Sequence, residues 1–264
     1  MEAAFVIAGL VVGFAVGLTG VGGGALMTPL LHLGFGIPLP AAVGTDLLYA
    51  AITKGSGAAV HARNGVVDWR VVRLLGTGSL PAAVVTVLAL RWLALDGRVF
   101  AEVISVALSG ALFLTAAFML LRRRLLDWAR GARGVDGLRT WVRLHRDGLT
   151  LVAGVVIGIM VTLTSVGAGV LGTTAILLLY PRLTAVGVVG TELAHAVPLT
   201  LVAGLGHLSL GTVDFALLGS LLVGSIPGVW AGSRLGARVS DRLLRPVIAS
   251  ILVLIGVRLV MAVT

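Results

Sequence analysis

The sequence predicts an all-α, polytopic helical membrane protein made of two inverted-topology repeats with broken or re-entrant half-helices. Three observations point there: too little charge to coat a soluble fold, ten apolar segments, and polar residues that recur in register between the two halves. Hydrophobic residues make up 58% of the 264 positions, Gly adds 37 more, and charged residues account for only 12%. The mean hydropathy is +1.09. A typical soluble protein carries roughly 25% charged residues. Apolar surface that cannot be hidden inside must face lipid. A secreted disulfide scaffold, a disordered tail and a cytosolic enzyme are thereby excluded, and the absence of Cys removes thiolate metal sites and a Cys nucleophile. Arg outnumbers Lys 19 to 1 beside heavy Ala, Gly and Val usage, as in a GC-rich bacterial genome.

A span needs about 20 apolar residues at about 1.5 Å each. In the first half the candidates are 3–19, a short 25–36, 41–61, 70–91 and 99–121. The second half offers 149–164, a short 170–180, 184–206, 212–232 and 243–263. The N-terminus, MEAAFVIAGL, has no positive n-region and reads as the first span. The third and eighth segments follow Pro38/Pro40 and Pro181, residues suited to helix starts. Pro81, Pro198 and Pro227 fall inside spans and predict kinks whose freed carbonyls need partners. Residues 1–121 and 148–264 form two transmembrane repeats, joined by a basic linker at 122–147.

The repeat is carried by residues that apolar composition would not align. A shift of 145 lays Gly9, Gly13, Thr19, Val21, Gly22, Gly24 and Thr28 on Gly154, Gly158, Thr164, Val166, Gly167, Gly169 and Thr173. A shift of 146 aligns 43–81 with 189–227 without a gap, at 13 identities in 39. These include Val43-Gly44-Thr45 on Val189-Gly190-Thr191, His61 on His207, Val67-Asp68 on Val213-Asp214, and the Gly-Ser-x-Pro of 78–81 on that of 224–227.

Charge orients the two copies. Eight of the 20 basic residues lie between Arg122 and Arg146, and cytoplasmic loops collect such charge. No aromatic-interleaved basic surface accompanies them, so no nucleic-acid partner is expected despite a net charge of +9. With that linker inside, Arg63, Arg70 and Arg73 also fall inside, and so do Arg234, Arg238, Arg242 and Arg245. The third segment then runs inward and its partner, the eighth, outward, so the repeat is inverted. Both termini come out external. The Trp residues mostly flank spans, as an interfacial belt would.

Candidate chemistry sits at the breaks. Gly20-Val21-Gly22-Gly23-Gly24 and its echo Ser165-Val166-Gly167-Ala168-Gly169 each precede a segment of eleven or twelve residues. Glycines let the backbone leave one helix and start another, whose free N–H groups and dipole can hold an anion. Close helix packing of small residues is the competing reading. Gly44-Thr45-Asp46 and Gly190-Thr191-Glu192 place a hydroxyl and a carboxylate within each matching span. An intramembrane carboxylate is costly unless protonated, paired or wet, which makes Asp46 and Glu192 candidates for proton coupling. A cap at a broken helix is the alternative. Lys54, the only lysine, follows Asp46 by eight residues on one helical face, about 12 Å away and too far for a direct pair. It either meets an anionic substrate or snorkels to headgroups. His195 follows Glu192 at i+3 and suits a proton relay better than a metal, since no further ligands stand at metal spacing. His61 and His207, at span ends, read as interfacial, and Glu102 and Arg258 as edge residues. No nucleophile-base-acid set, P-loop or dinucleotide fingerprint occurs, which leaves a secondary transporter or a channel.

The order Gly13-x3-Gly17-x2-Gly20-Val21-Gly22-Gly23-Gly24 … Pro29 … Ala42-Val43-Gly44-Thr45, with its weaker second copy, resembles the TauE/SafE family of sulfite and organosulfonate exporters over nearly the whole chain. The resemblance implies a bacterial inner-membrane, multi-pass permease for small anions, sulfur oxyanions or sulfonates among them, with no cofactor. It carries the family motif onto Gly20, Gly22, Gly23, Gly24, Pro29, Gly44 and Thr45. Where the family pattern often has Ser after that Thr, this chain has Asp46 and Glu192, which suit proton coupling or a cationic group on the substrate. The expected substrate-binding set is Gly20, Gly22, Gly23, Gly24, Thr45, Lys54, Ser165, Gly167, Gly169 and Thr191, with Asp46, Glu192 and His195 for proton coupling. The expected partners are a small anion, protons and the lipid bilayer, and the chain is compatible with a homo-oligomer. A passive anion channel, or a membrane subunit docking through the Arg-rich linker, stays open at this point.

Overall fold

The computed structural model describes residues 2–19, 24–93, 97–130, 136–236 and 241–263, and the regular elements among them are helices. The first half contributes α1 (Glu2–Thr19), α2 (Gly24–Pro29, continued by a π-helical turn over Leu30–Gly34), α3 (Leu39–Arg63), α4 (Trp69–Trp92) and α5 (Gly97–Arg130). The second half contributes α7 (Arg146–Thr164), α8 (Val170–Leu179), α9 (Ala185–Ser209), α10 (Phe215–Gly236) and α11 (Asp241–Val263), and α6 (Asp136–Leu144) lies between them. The ten predicted segments all appear. α4, α7, α9, α10 and the 97–121 stretch of α5 are each long and apolar enough to cross a membrane. α8, with ten residues, is about 15 Å long and reaches only half-way through a hydrocarbon core of about 30 Å.

Two readings need correction. The basic stretch after Leu121 is not simply a loop: α5 continues to Arg130, and α6 occupies 136–144. Its Arg- and Leu-rich run holds no Gly or Pro before Gly131, so nothing breaks the helix there. Pro181 does not start α9. Thr184 does, its side chain accepting the Gly187 N–H at 3.1 Å as an N-cap. At α3 the expectation holds, with Pro40 in the first turn.

Small residues set how the helices pair. α1 lies on α10 and α4 on α7. A Cβ added at Gly13 would come 2.6 Å from the Ser225 carbonyl oxygen, and one at Gly158 would collide with the Ser79 carbonyl. Gly13 matches Gly158 in the repeat, and Ser225 matches Ser79, so both backbone contacts occur at equivalent places. α3 packs on α9: Leu48 covers Gly204, Leu193 covers Gly57 and the His61 ring covers Gly190. As position rises on one helix it falls on the other, so these two helices run antiparallel. Beside them, Met27, Leu31, Tyr49 and Leu221 form one buried cluster, and Leu75, Ile176, Tyr180 and Val188 another. The largest cluster joins α3, α5, α7, α9 and α11 through Leu47, Leu108, Leu112, Val161, Leu199 and Leu252. Outward-facing apolar side chains, such as Ile226 and Leu254 at 67% exposure, suit a surface that meets lipid rather than water.

Two hydrogen bonds tie the halves reciprocally. The Asp214 N–H donates to Thr45 Oγ1 at 3.0 Å, and the Asp68 N–H donates to Thr191 Oγ1 at 2.9 Å. The two bonds exchange under the 146-residue shift. Arg70 and Asp147 add an ion pair of 2.6 Å between the starts of α4 and α7, bringing those two ends to one side of the molecule.

Candidate functional site

The site is built where α7 ends and α8 begins. Ser165 caps α7 in the left-handed conformation (φ 58°), its N–H reaching the Val161 carbonyl oxygen at 2.8 Å. The Val166 N–H then turns onto Thr164 Oγ1 at 3.0 Å. Gly167 follows at φ +112°, a conformation that would strain any other residue. This sequence of bends releases the chain from α7 and restarts it as α8 at Val170. The break caps its own restart: the Leu171 and Gly172 N–H groups donate to the Gly167 carbonyl oxygen at 3.1 and 3.3 Å, and that of Thr173 to the Gly169 carbonyl oxygen at 3.0 Å.

A small cavity, with room for about one water molecule, opens at this restart. Lys54 of α3, Thr115 of α5 and Ser165, Gly167, Gly169 and Val170 of the break line it. Lys54 is only 8% exposed, so its ammonium points inward and does not snorkel. Thr115 is fully buried and Ser165 nearly so; the Thr115 hydroxyl has no hydrogen-bond partner, and the Ser165 side chain lies beside the Asp46 carboxylate. An ammonium and two hydroxyls thus meet around one cavity at the start of α8. Buried donors usually find partners, so this set is poised for an acceptor.

Of the two carboxylates, Glu192 makes the ion pair with Lys54. Glu192 Oε1 is 3.6 Å from Lys54 Nζ, with both side chains at most 8% exposed. That separation is an ion pair rather than a good hydrogen bond, and Oε1 has no hydrogen-bond partner. Gly172 of α8 leaves the room Glu192 needs: a Cβ there would come 3.2 Å from the Glu192 Cγ. Asp46, fully buried, accepts the Thr28 hydroxyl at 2.7 Å on Oδ2. The Ser165 side chain lies beside it, while Oδ1 has no partner. The expectation that Lys54 and Asp46 are too far apart on α3 for direct pairing fits this arrangement, since the ion partner of Lys54 comes from the other half.

His195 does not join Glu192 in a dyad. Its Nε2 is 2.8 Å from Ser79 Oγ on α4, and its Nδ1 is buried without a partner. The matching place in the first half holds Tyr49, which sits beside Ser225. Thr45 and Thr191 spend their oxygens on the reciprocal backbone bonds described above, so their observed contacts are architectural. Gly20, Gly22 and Gly23 lie outside the described residues, and Gly24 is the first residue of α2. His207 is not interfacial: it is fully buried, with Nδ1 2.9 Å from Thr212 Oγ1 and Nε2 2.9 Å from the Thr162 carbonyl oxygen. α9 runs on to Ser209, and the turn through Thr212 closes over its end, which is why a span-end position is enclosed. Glu102 pairs with the exposed Arg98 at 3.0 Å, as an edge residue would.

Sequence reasoning missed Thr28, Ser79, Thr115 and Tyr49. Thr28 and Ser79 carried a signal, since each recurs in the repeat (Thr173, Ser225). Thr115 lies on α5 outside the aligned segments and carried none.

The helices and their lipid-suited outer faces define a multi-pass membrane protein. Comparison with known proteins narrows the class. The family model described as Sulfite exporter TauE/SafE matches residues 5–259, and the chain belongs to that family. It is 40% identical over 263 residues to "Probable membrane transporter protein YjnA" of Bacillus subtilis strain 168, covering 98% of this chain and 100% of that one. Similarity to YdhB of the same organism is 27% over 226 residues, or 84% of this chain and 85% of the relative. A membrane transporter relative from Xylella fastidiosa strain Temecula1 is 26% identical over 239 residues, 88% of this chain and 84% of its own length. No solved structure matches the chain.

Proposed function

We propose that the protein is a secondary transporter, in the export direction, of small anions such as sulfite, sulfonates or related organic acids. One observation carries this reading: Lys54, the α8 start and the Ser165 and Thr115 hydroxyls share one cavity. Fixed donors of this kind hold an oxyanion without needing a cofactor. Asp46, Glu192 and His195 supply the protonatable groups that couple anion movement to protons. The protein moves its substrate without covalent chemistry.

The two halves, 1–121 and 148–264, act as an inverted repeat that rocks about the central site in alternating access. The exchanged Thr–Asp backbone bonds and the antiparallel α3–α9 crossing support this symmetry, because a two-fold axis lying in the membrane plane reverses helix direction. The charge pattern supports an inner-membrane protein with the 122–147 linker cytoplasmic and both termini external.

Thermal unfolding of the purified protein against sulfite, sulfate, thiosulfate, sulfoacetate, taurine and simple carboxylates tests the substrate class. Stabilisation by a sulfonate or sulfur oxyanion, lost on Lys54→Gln, is expected. Stabilisation by none of them overturns the anion site. In proteoliposomes, flux that neither saturates nor falls when the proton gradient is dissipated identifies a passive channel instead.

A further inference from the structure

We infer that Glu192 and the transported anion compete for the Lys54 ammonium, so that each monoanion entering the cavity brings one proton onto Glu192. The inference rests on the anion-transport reading and adds how the site couples its two substrates.

The geometry has three parts. Lys54 Nζ is the one cation shared by the cavity wall and a carboxylate: it lines the cavity and stands 3.6 Å from Glu192 Oε1. The pair is loose, because Glu192 Oε1 accepts no hydrogen bond that would fix it as an anion. Among the described residues, the ion partner of Glu192 is Lys54. α8 meets Glu192 through Gly172 and has no ionisable residue between Val170 and Leu179. From α3, Lys54 and His61 meet this stretch, while Asp46 turns to Thr28 and Ser165 and Tyr49 to Ser225. His195 of α9 is engaged by Ser79, and Asp68 meets the stretch through its backbone N–H on Thr191. Lys54 is the only cation in that set that contacts the carboxylate.

Charge then sets the stoichiometry. With the cavity unfilled, Lys54⁺ and Glu192⁻ sum to zero. A monoanion beside Lys54 leaves two negative groups on one buried cation, which the interior does not tolerate. Neutrality returns when the Glu192 carboxylate takes up one H⁺ to become a carboxylic acid and the ammonium transfers its contact to the anion. Asp46 accepts the Thr28 hydroxyl and interacts with the same ammonium, but the carboxylate in ion-pair contact with Lys54 is Glu192, so the exchange is assigned to Glu192.

The test measures proton uptake and affinity together, using methanesulfonate, ethanesulfonate and nitrate, none of which titrates in the range used. In lightly buffered detergent solution on the alkaline side, wild type is expected to take up about one proton per anion bound, and its affinity to fall about tenfold per pH unit there. E192Q keeps a neutral group of the same shape. It is expected to bind with the acid-side affinity of wild type, to take up no proton and to vary less than about twofold between about pH 5.5 and 8.5. S165A serves as the second variant: weaker binding with proton uptake per anion unchanged. A full proton still taken up by E192Q overturns the inference and moves the proton to another group. Anion binding by wild type without proton uptake overturns it and leaves the anion site standing. Binding of none of the three anions to wild type overturns the anion-site reading and this inference with it.

Discussion

Asp46 and Glu192 occupy matching positions in two halves that share a frame, yet their surroundings differ. Around both, the architecture is the same: a threonine one residue earlier accepts an N–H from the opposite half, at 3.0 Å for Thr45 and 2.9 Å for Thr191. Three residues on, an aromatic or imidazole ring meets a serine two residues before a proline, as Tyr49 with Ser225 and His195 with Ser79. The difference is electrostatic. Asp46 is met by hydroxyls, from Thr28 and Ser165, whereas Glu192 faces the ammonium of Lys54. The place matching Lys54 holds Thr200, which turns its hydroxyl back onto the Ala196 carbonyl. The repeat therefore builds a symmetric scaffold, and one lysine makes it polar. Symmetry serves the packing, and the break in symmetry places the buried ion pair in one half of the frame.

The largest expected effect comes from erasing that break. At alkaline pH, where protonation does not relieve it, Lys54→Met leaves Glu192 as an uncompensated buried carboxylate, a change expected to cost up to about 3–5 kcal/mol of stability. Adding Glu192→Gln removes the stranded charge and should recover most of the loss, by thermal or denaturant unfolding of both variants in detergent. If the double variant is no more stable than Lys54→Met alone, the two side chains are not coupled and the electrostatic contrast between the halves fails.

Next come the contacts that the halves share. Gly13→Ala and Gly158→Ala each drive a methyl into a serine carbonyl on the opposing helix, Ser225 and Ser79 respectively. Overpacking at such backbone contacts costs about 1–3 kcal/mol. The two losses should be similar, while Gly219→Ala on α10, where an added Cβ meets nothing within 4 Å, should change little. Losses confined to one member of the pair would mean that the halves are packed by different rules.

Much of this scaffold was legible because membrane folds are written in composition and register. Span positions follow from the length of apolar runs, and the repeat shows in Gly, Thr, Asp and His, which lipid exposure alone does not place. The break at Ser165–Gly169 was also legible, as glycines before a segment too short to cross. Partner choice was not. Spacing on α3 ruled out an Asp46–Lys54 pair, but nothing in one chain's order tells which carboxylate from another helix reaches the ammonium. Thr115 enters the cavity only because α5 packs on α8, a tertiary contact without a local signature. His207 was misread for the same reason: a span end is interfacial only if no turn folds back over it, and Thr212 does.

The finest test of the comparison concerns the reciprocal bonds. Thr45→Val and Thr191→Val each remove the acceptor for a partly buried backbone N–H, of Asp214 and Asp68, without changing side-chain shape. About 1 kcal/mol is expected from each. If the bonds do no more than join the halves, both variants lose stability equally and neither changes anion affinity. If Thr191→Val also weakens methanesulfonate binding while Thr45→Val does not, the strut beside Glu192 holds that carboxylate in reach of Lys54. The asymmetry of charge would then extend into the frame itself. The Arg70–Asp147 pair gives the lower bound for such effects. Its side chains are 61% and 47% exposed, so Arg70→Ala should cost well under about 1 kcal/mol, and less still in high salt. A larger loss there would mean that the exposed ends of α4 and α7 carry strain which the buried contacts do not reveal.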